Sequence, residues 1–309
     1  MRELIDAVAE AISGGGSGME SAPAKINLAL HALSRRVDGY HTLDSLVAFA
    51  DFADVVSAVP SRDDGLDLTI DGHFAGELDL VSHPRDNLVL RAAEALFRES
   101  GKKRMSATHL VLTKRIPIAA GLGGGSSDAA ATLRLLNRFW SIGFDDARLA
   151  QIGVRLGADV PMCLNPRPVL ARGIGDRLTP VTGLPRLPIV LVHPSIPLPT
   201  SAVYGRLQTA ERAPLPPLPA RFDSVFAFVI WLRQTRNDLT EAAKAETGLA
   251  DQAVKALSSD PDCLFARMSG SGAVAFGIFP KLSTAEKALE RLRQKRPNWW
   301  AVATETIGS

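Results

Sequence analysis

Two lobes of mixed α and β structure, an α+β fold, are what this sequence predicts, and three features carry that prediction. The first is the stretch Pro117–Asn137, PIAAGLGGGSSDAAATLRLLN, in which an apolar run passes through four glycines and two serines into an Ala- and Leu-rich helical pattern. The second is a smaller echo of it, Met268-Ser269-Gly270-Ser271-Gly272. It stands before a strand over 273–279, a helix over 283–295 and a last strand near 300–304, the βαβ close of a sheet covered by helices. The third is size: 309 residues, 46% hydrophobic and 22% charged, make one large or two medium globular domains.

Composition excludes several classes of function. Thirty-five basic residues against 33 acidic ones leave a net charge of +2 with no long single-sign run, so neither nucleic acid nor an anionic membrane surface is an expected partner. Binding of phosphate must then be local. Cys163 and Cys263 lie far apart and near no His or Cys at metal-ligand spacing, which argues against a zinc site or a disulfide framework. No apolar stretch approaches the roughly 20 residues of a membrane span, and the N-terminus lacks a signal-like pattern, so the expected compartment is the cytoplasm.

Taken in order, residues 1–20 read as a flexible extension: a short amphipathic piece, then Ser13-Gly14-Gly15-Gly16-Ser17-Gly18 as a tether. From Ala22 to Leu30 the chain alternates, with Ala24, Ile26, Leu28 and Leu30 on one strand face and Lys25, Asn27 and Ala29 on the other. Lys25 and Asn27 therefore point the same way, and a solvated sheet surface is the plainer reading of that pair. The Asp38-Gly39 turn leads through Tyr40 and His41 into a strand over 43–56. Those two side chains offer a ring to stack on a base and a polar edge to read it, although ordinary packing would equally use them. Residues 60–85 read as short polar strands and turns. A helix follows from Asp86 or Asn87 to Ser100, with Gly101 as its stop, and then a strand over 109–116.

The strand feeds the glycine-rich segment, where strand, turn and helix make a phosphate cradle. Gly121, Gly123, Gly124 and Gly125 let backbone N–H groups approach an anion unobstructed by Cβ atoms, and the helix behind points its positive end at the same place. Ser126 or Ser127 is expected to cap that helix, with Asp128 in its first turn. A flexible linker is the alternative, but linkers seldom run unbroken from an apolar strand into such a helix. No Gly-Lys-Ser/Thr closes the segment, and GLGGGS meets the dinucleotide spacing only loosely. A second helix opens at Asp145-Asp146 and stops at Gly157. Asp159 follows it, with small residues before and apolar ones after, a setting that keeps a carboxylate off the open surface, though capping a turn is the plainer role. Beyond residue 171 proline becomes frequent. A buried strand over 189–192 and helices over 222–234, 238–246 and 249–257 lead to the closing βαβ pattern.

Four segments in fixed order, Ala22–Leu28 (APAKINL), Pro117–Ala130, Gly157–Pro161 and Ser269–Ala273, resemble the GHMP kinases, which transfer the ATP γ-phosphate to small hydroxyl- or phosphate-bearing substrates. The resemblance runs from about residue 21 to 304. It implies a two-lobed architecture: an N-terminal lobe over 21–170 with a mixed sheet and helices that binds ATP, and a ferredoxin-like C-terminal lobe over 171–309. It also implies a catalytic pair, with Asp159 taking the substrate hydroxyl's proton and Lys25 favouring the ionised carboxylate and offsetting charge. By the same resemblance Pro117, Ile118, Ala119, Ala120, Gly121, Leu122, Gly123, Gly124, Gly125, Ser126 and Ser127 bind ATP, the amides of Gly121 to Ser127 at its phosphates, while Asn87, Leu88 and Lys114 border its adenine. Magnesium is expected with ATP, without a nominated protein ligand.

The segments PAKINL, DGYHTLDS and IPIAAGLGGGSSDAA point, within the family, to a substrate carrying a cytidine diphosphate group, in the non-mevalonate isoprenoid route. Tyr40 and His41 would stack on and hydrogen-bond the cytosine, with Tyr204 completing a ring sandwich and Asn27 nearer the acceptor end. A homoserine- or mevalonate-type kinase, or a non-catalytic sensor of the same fold, are the alternatives; a sensor would have lost Lys25 or Asp159. A monomer or weak homodimer is expected. The sequence departs from the family at Met162-Cys163, where aromatics are common, and at Thr240, where an acidic residue is usual.

Overall fold

The computed structural model describes residues 18–61, 65–81, 86–207 and 211–308. The expected extension over 1–20 therefore falls largely outside the described residues; its last three, Gly18 to Glu20, already belong to a strand. Two compact units interleave along the chain instead of meeting at one boundary. Within the described residues, the first unit gathers 18–23, 53–118 and 124–165, and the second 24–52, 119–123 and 166–308. Two long strands, β1 (Gly18–Arg35) and β2 (His41–Pro60), contribute residues to both.

In the first unit the latter half of β2 pairs antiparallel with β4 (Thr108–Thr113), Val55 opposite Thr113, and β4 runs parallel to β3 (Leu66–Asp71). Short α1 (Ala75–Val81) lies where the sequence reads as short polar strands and turns; its seven residues make only about two helical turns, too few to show a period. Helices α2 (Leu88–Glu99), α3 (Gly124–Phe139), α4 (Asp146–Leu156) and α5 (Val160–Leu164) pack on one another. Local chemistry fixes their starts. Asn87 Oδ1 accepts from the Val89 N–H at 2.9 Å, and Asp145 Oδ1 from the Arg148 N–H at 2.8 Å. The apolar stripe of α2, Val89, Ala92, Ala93 and Leu96, is buried, as are Ala129 to Leu133, Leu135 and Leu136 on α3. Each large apolar side chain so buried contributes about 2 kcal/mol.

In the second unit the first half of β2 pairs antiparallel with β5 (Val169–Gly173), Leu43 opposite Gly173, and β5 with β6 (Arg177–Pro180). A separate antiparallel sheet has the order β10-β7-β9-β8, built from β7 (Pro188–His193), β8 (Phe265–Met268), β9 (Ala275–Ile278) and β10 (Trp300–Glu305). Helices α6 (Thr200–Arg206), α7 (Val225–Leu232), α8 (Thr240–Glu246) and α9 (Leu249–Ser258) come between β7 and β8, and α10 (Leu282–Lys295) between β9 and β10. That succession and strand order are the ferredoxin-like arrangement. The core on one side of this sheet is Val190, Val192, Leu257, Phe279, Ala285, Ala288 and Leu292. Nothing in the sequence marks β8, because PDCLFARM carries no alternation. Among the described residues neither cysteine is in a disulfide, and no helix is long and apolar enough to cross a membrane.

Candidate active site

Lys25 and Asn27 share a face of β1, as the alternation predicts, but that face is not solvated: the two residues are 7% and 6% exposed. Burying a lysine and an amide is costly unless both are bonded, and here they are. Lys25 Nζ donates to Asn27 Oδ1 at 2.9 Å, Asn27 Nδ2 donates to Ser45 Oγ at 2.8 Å, and Ser45 Oγ donates to the Ala29 carbonyl at 2.7 Å. The backbone of the same two residues is tied to both glycine turns. Lys25 N–H donates to the Leu122 carbonyl at 2.8 Å, and Asn27 N–H to Ser269 Oγ at 3.2 Å, while Ser269 Oγ donates to the Gly121 carbonyl at 3.1 Å. Asn237 Nδ2 completes the platform by donating to the Met268 and Gly270 carbonyls at 2.9 and 2.8 Å.

Packing explains two of the glycines. At Gly123, φ is +63° and a Cβ would sit 2.9 Å from Lys25 Cε; at Gly121, φ is +76° and a Cβ would sit 2.5 Å from the Ser269 carbonyl oxygen. Only glycine combines that backbone with that approach. Of the sequence-predicted residues, Lys25, Asn27 and 119–123 thus converge in the second unit. Ser45, Ser269 and Asn237 are the supporting residues that the sequence reading did not nominate. The Ser269 turn was visible as a motif, whereas Ser45 and Asn237 carried no signal of their own.

His41 opens β2 and is 9% exposed; its Nε2 is buried with no hydrogen-bond partner. Burial and, secondarily, the charge of Arg35 hold its pKa below the ordinary imidazole range, so the ring is neutral at physiological pH, with one nitrogen able to donate and the other to accept. Its centroid lies 5.8 Å from that of Tyr204 on α6, the planes inclined by 39°. His41 is thus a ring neighbour of Tyr204, and Tyr40 stands 61% exposed on the turn before β2.

The first unit holds the other expected residues. Helix α3 starts at Gly124, so Ser126 and Ser127 lie inside it and neither is its cap; Ser127 Oγ donates instead to the Pro23 carbonyl at 2.6 Å. The first-turn amides of Gly124, Gly125 and Ser126 have no partner one turn back in the helix, and with the helix dipole they attract an anion. Leu88 Cδ1 would come within 3.3 Å of a Cβ at Gly125, which sets the Asn87–Leu88 corner of α2 against the cradle. Asp128 falls in the second turn and not the first. It turns inward, where its Oδ2 and Asp54 Oδ2 both accept from Lys114 Nζ, at 2.8 and 2.5 Å. Lys114, expected beside adenine, thus commits its ammonium to two buried carboxylates. Asp159 is half-buried at the N-cap position of α5 and makes no side-chain capping bond to that helix.

Each unit thus carries one element suited to an anionic substrate: in the first, a helix that opens on glycine amides, and in the second, a buried lysine packed on glycine and oriented by an amide. The chain belongs to the GHMP kinase family: the family's N-terminal domain matches residues 87–166 and its C-terminal domain residues 228–298. It is an ATP-dependent small-molecule kinase. It is 48% identical to the 4-diphosphocytidyl-2-C-methyl-D-erythritol kinase of Chelativorans sp. (strain BNC1) over 93% of this chain and 96% of that one. The enzyme of the same name from Mesorhizobium japonicum is 45% identical over 95% and 97%. A solved 4-(cytidine 5'-diphospho)-2C-methyl-D-erythritol kinase superposes with a TM-score of 0.75 at 32% identity, covering 94% of this chain and 100% of that one.

Proposed function

We propose that this kinase transfers the γ-phosphate of ATP to the 2-hydroxyl of 4-diphosphocytidyl-2-C-methyl-D-erythritol, giving the 2-phosphate and ADP, in the non-mevalonate isoprenoid route. The observation that carries the substrate is His41: a buried, neutral imidazole with an unpartnered Nε2 beside the Tyr204 ring suits a flat base with both donor and acceptor edges. Relatives bearing that enzyme's name align over nearly the whole chain, and this supports the same reading. In it, His41 reads the cytosine edge, Tyr204 and Tyr40 flank the base, and Asn27 meets the erythritol end.

In the transfer itself, the substrate 2-oxygen forms a bond to the γ-phosphorus as the bond to the β–γ bridging oxygen breaks, and the hydroxyl proton passes to Asp159. A general base in that position contributes about 10²–10⁴-fold. Lys25, its ammonium oriented by Asn27, offsets charge developing on the transferred group. The α3 amides, with 117–123 before them and Asn87–Leu88 beside, align the nucleotide. Among the described residues no group of three or more His, Cys, Asp or Glu side chains is placed to hold a metal. Magnesium, when bound with ATP, would neutralise phosphate charge.

Incubation of the purified protein with ATP, magnesium and the diphosphocytidyl substrate should yield ADP and the 2-phosphate in equal amounts. If homoserine or mevalonate is phosphorylated and this substrate is not, the assignment fails while the family stands.

A further inference from the structure

The cluster of Asp54, Lys114 and Asp128 is used by no step above, yet it sits against the first residue of α3. Asp54 Oδ1, on β2, accepts from the N–H groups of Arg115 and Ile116 at 2.5 and 2.8 Å, so it holds the chain where it leaves β4. Its Oδ2 and that of Asp128 grip Lys114 Nζ from two sides. A Cβ at Gly124 would lie 3.3 Å from Ile116 Cγ2, 3.4 Å from Lys114 Nζ and 3.6 Å from Asp54 Oδ2, so the helix start packs directly against the cluster. All three residues are buried, and two carboxylates face one ammonium. Asp128 Oδ1 is buried with no hydrogen-bond partner.

We propose that Asp54, Lys114 and Asp128 are positioning residues for the nucleotide's phosphates: the clamp fixes the α3 amides to the exit of β4, and its surplus carboxylate makes binding of a polyphosphate there take up a proton. The inference rests on the reading of those amides as the phosphate site. An anion on the amides of Gly124 to Ser126 is about one helical turn from Asp128 in a poorly screened setting, where like charges repel strongly. Protonating the cluster removes that repulsion.

The other charges near it do not substitute. From β3, the Asp71 backbone carbonyl accepts from the Lys114 N–H, and the Asp71 side chain brings no cation, its Oδ1 buried without a partner. The faces that α2, α4 and α5 bury are apolar: Val89, Ala92, Ala93 and Leu96; Leu149 and Ile152; Val160, Met162 and the Cys163 thiol. Burial, opposed by Lys114 and reinforced by Asp54, pushes the Asp128 carboxyl up to about 7, which puts the exchange in the physiological range. Lys114, whose burial is outweighed by Asp128 and Asp54, stays charged.

The linkage has a definite sign. A bound polyphosphate raises the Asp128 pKa further, so affinity is greatest below pH 7 and weakens above it. If binding raises that pKa by about one unit, about half a proton is taken up per nucleotide at pH 7.5, and affinity falls about fivefold from pH 7 to 9. The nucleotide's own phosphates, titrating near pH 6, are already ionised over that range.

The test is calorimetric titration of the full-length protein with a non-hydrolysable ATP analogue and magnesium, in two buffers of different ionisation enthalpy, for the wild type and for Asp128→Asn. The amide keeps an acceptor for Lys114 and cannot ionise. Proton uptake in the wild type that is absent in D128N, with the D128N affinity flat from pH 7 to 9, is the expected result. Binding without uptake in the wild type, or equal uptake in D128N, overturns the proposal. Should D128N fail to fold, the wild-type measurement with Asp54→Asn, which removes the surplus charge from the other side, decides the matter in the same way. No nucleotide binding at all would instead defeat the phosphate-site reading, a result distinct from binding without a proton.

Discussion

Replacing Gly123 with alanine exchanges one hydrogen for a methyl group at the point where the glycine-rich segment presses on Lys25. Alanine at φ +63° costs about 1–2 kcal/mol of backbone strain, which lowers the melting temperature by about 3–6 °C. The new Cβ would lie 2.9 Å from Lys25 Cε and 3.2 Å from Lys25 Cβ. The Cβ is fixed to β1 and cannot retreat, so the stem must bend and carry Nζ away from Asn27 Oδ1, its partner at 2.9 Å. A displacement of order 1 Å in a transfer site costs about 10²-fold in rate. Gly123→Ala should therefore lose about two orders of magnitude in kcat, measured by coupled ADP release at saturating substrates, while most of the protein remains folded at 25 °C by circular dichroism. A variant that melts several degrees lower yet retains wild-type kcat per folded molecule would refute the placement of Lys25 in the transfer step.

Other substitutions separate the remaining roles. Asp159→Asn should lower kcat by about 10²–10⁴-fold with little change in the ATP KM, because the amide keeps the shape and loses the base; undiminished turnover would place the base elsewhere. His41→Phe keeps a ring beside Tyr204 and removes Nε2, so the KM for the diphosphocytidyl substrate should rise about threefold to tenfold while that for ATP holds; equal changes in both would remove His41 from the base pocket. Because His41's pKa is depressed, the neutral ring persists from high pH down to below the ordinary value of 6.5. Substrate KM should accordingly be flat from pH 8 to 6.5 and rise only at lower pH, as initial rates across that range would show. Asn237→Ala leaves the Met268 and Gly270 carbonyls without their donor and should cost about 3 kcal/mol, read as a lowered urea midpoint.

Local pattern settled much of this protein. The strand–glycine–helix order of 117–137, the helix from Asn87 and the closing βαβ of 273–304 are written in short-range periodicity and turn residues. A chain of this kind has few ways to satisfy those patterns, and the resemblance of four ordered motifs supplied the family. Pattern could place Lys25 and Asn27 on one strand face, since period two is a property of the backbone. It could not say whether that face meets water, because that depends on Ser45, Ser269 and Asn237, which come from 18 to 242 positions away. The same limit applies to the helix behind the glycines. Asp128 looks like an N-terminal acid in sequence, but α3 begins three residues before Ser127, and the carboxylate rotates inward to share Lys114 with Asp54, 60 positions earlier in the chain from that lysine. Residue type and spacing alone mark which groups are candidates for the chemistry. Tertiary packing decided their partners and their charge, because burial and pairing across long loops are set by the assembled strands and helices, not by neighbours along the chain.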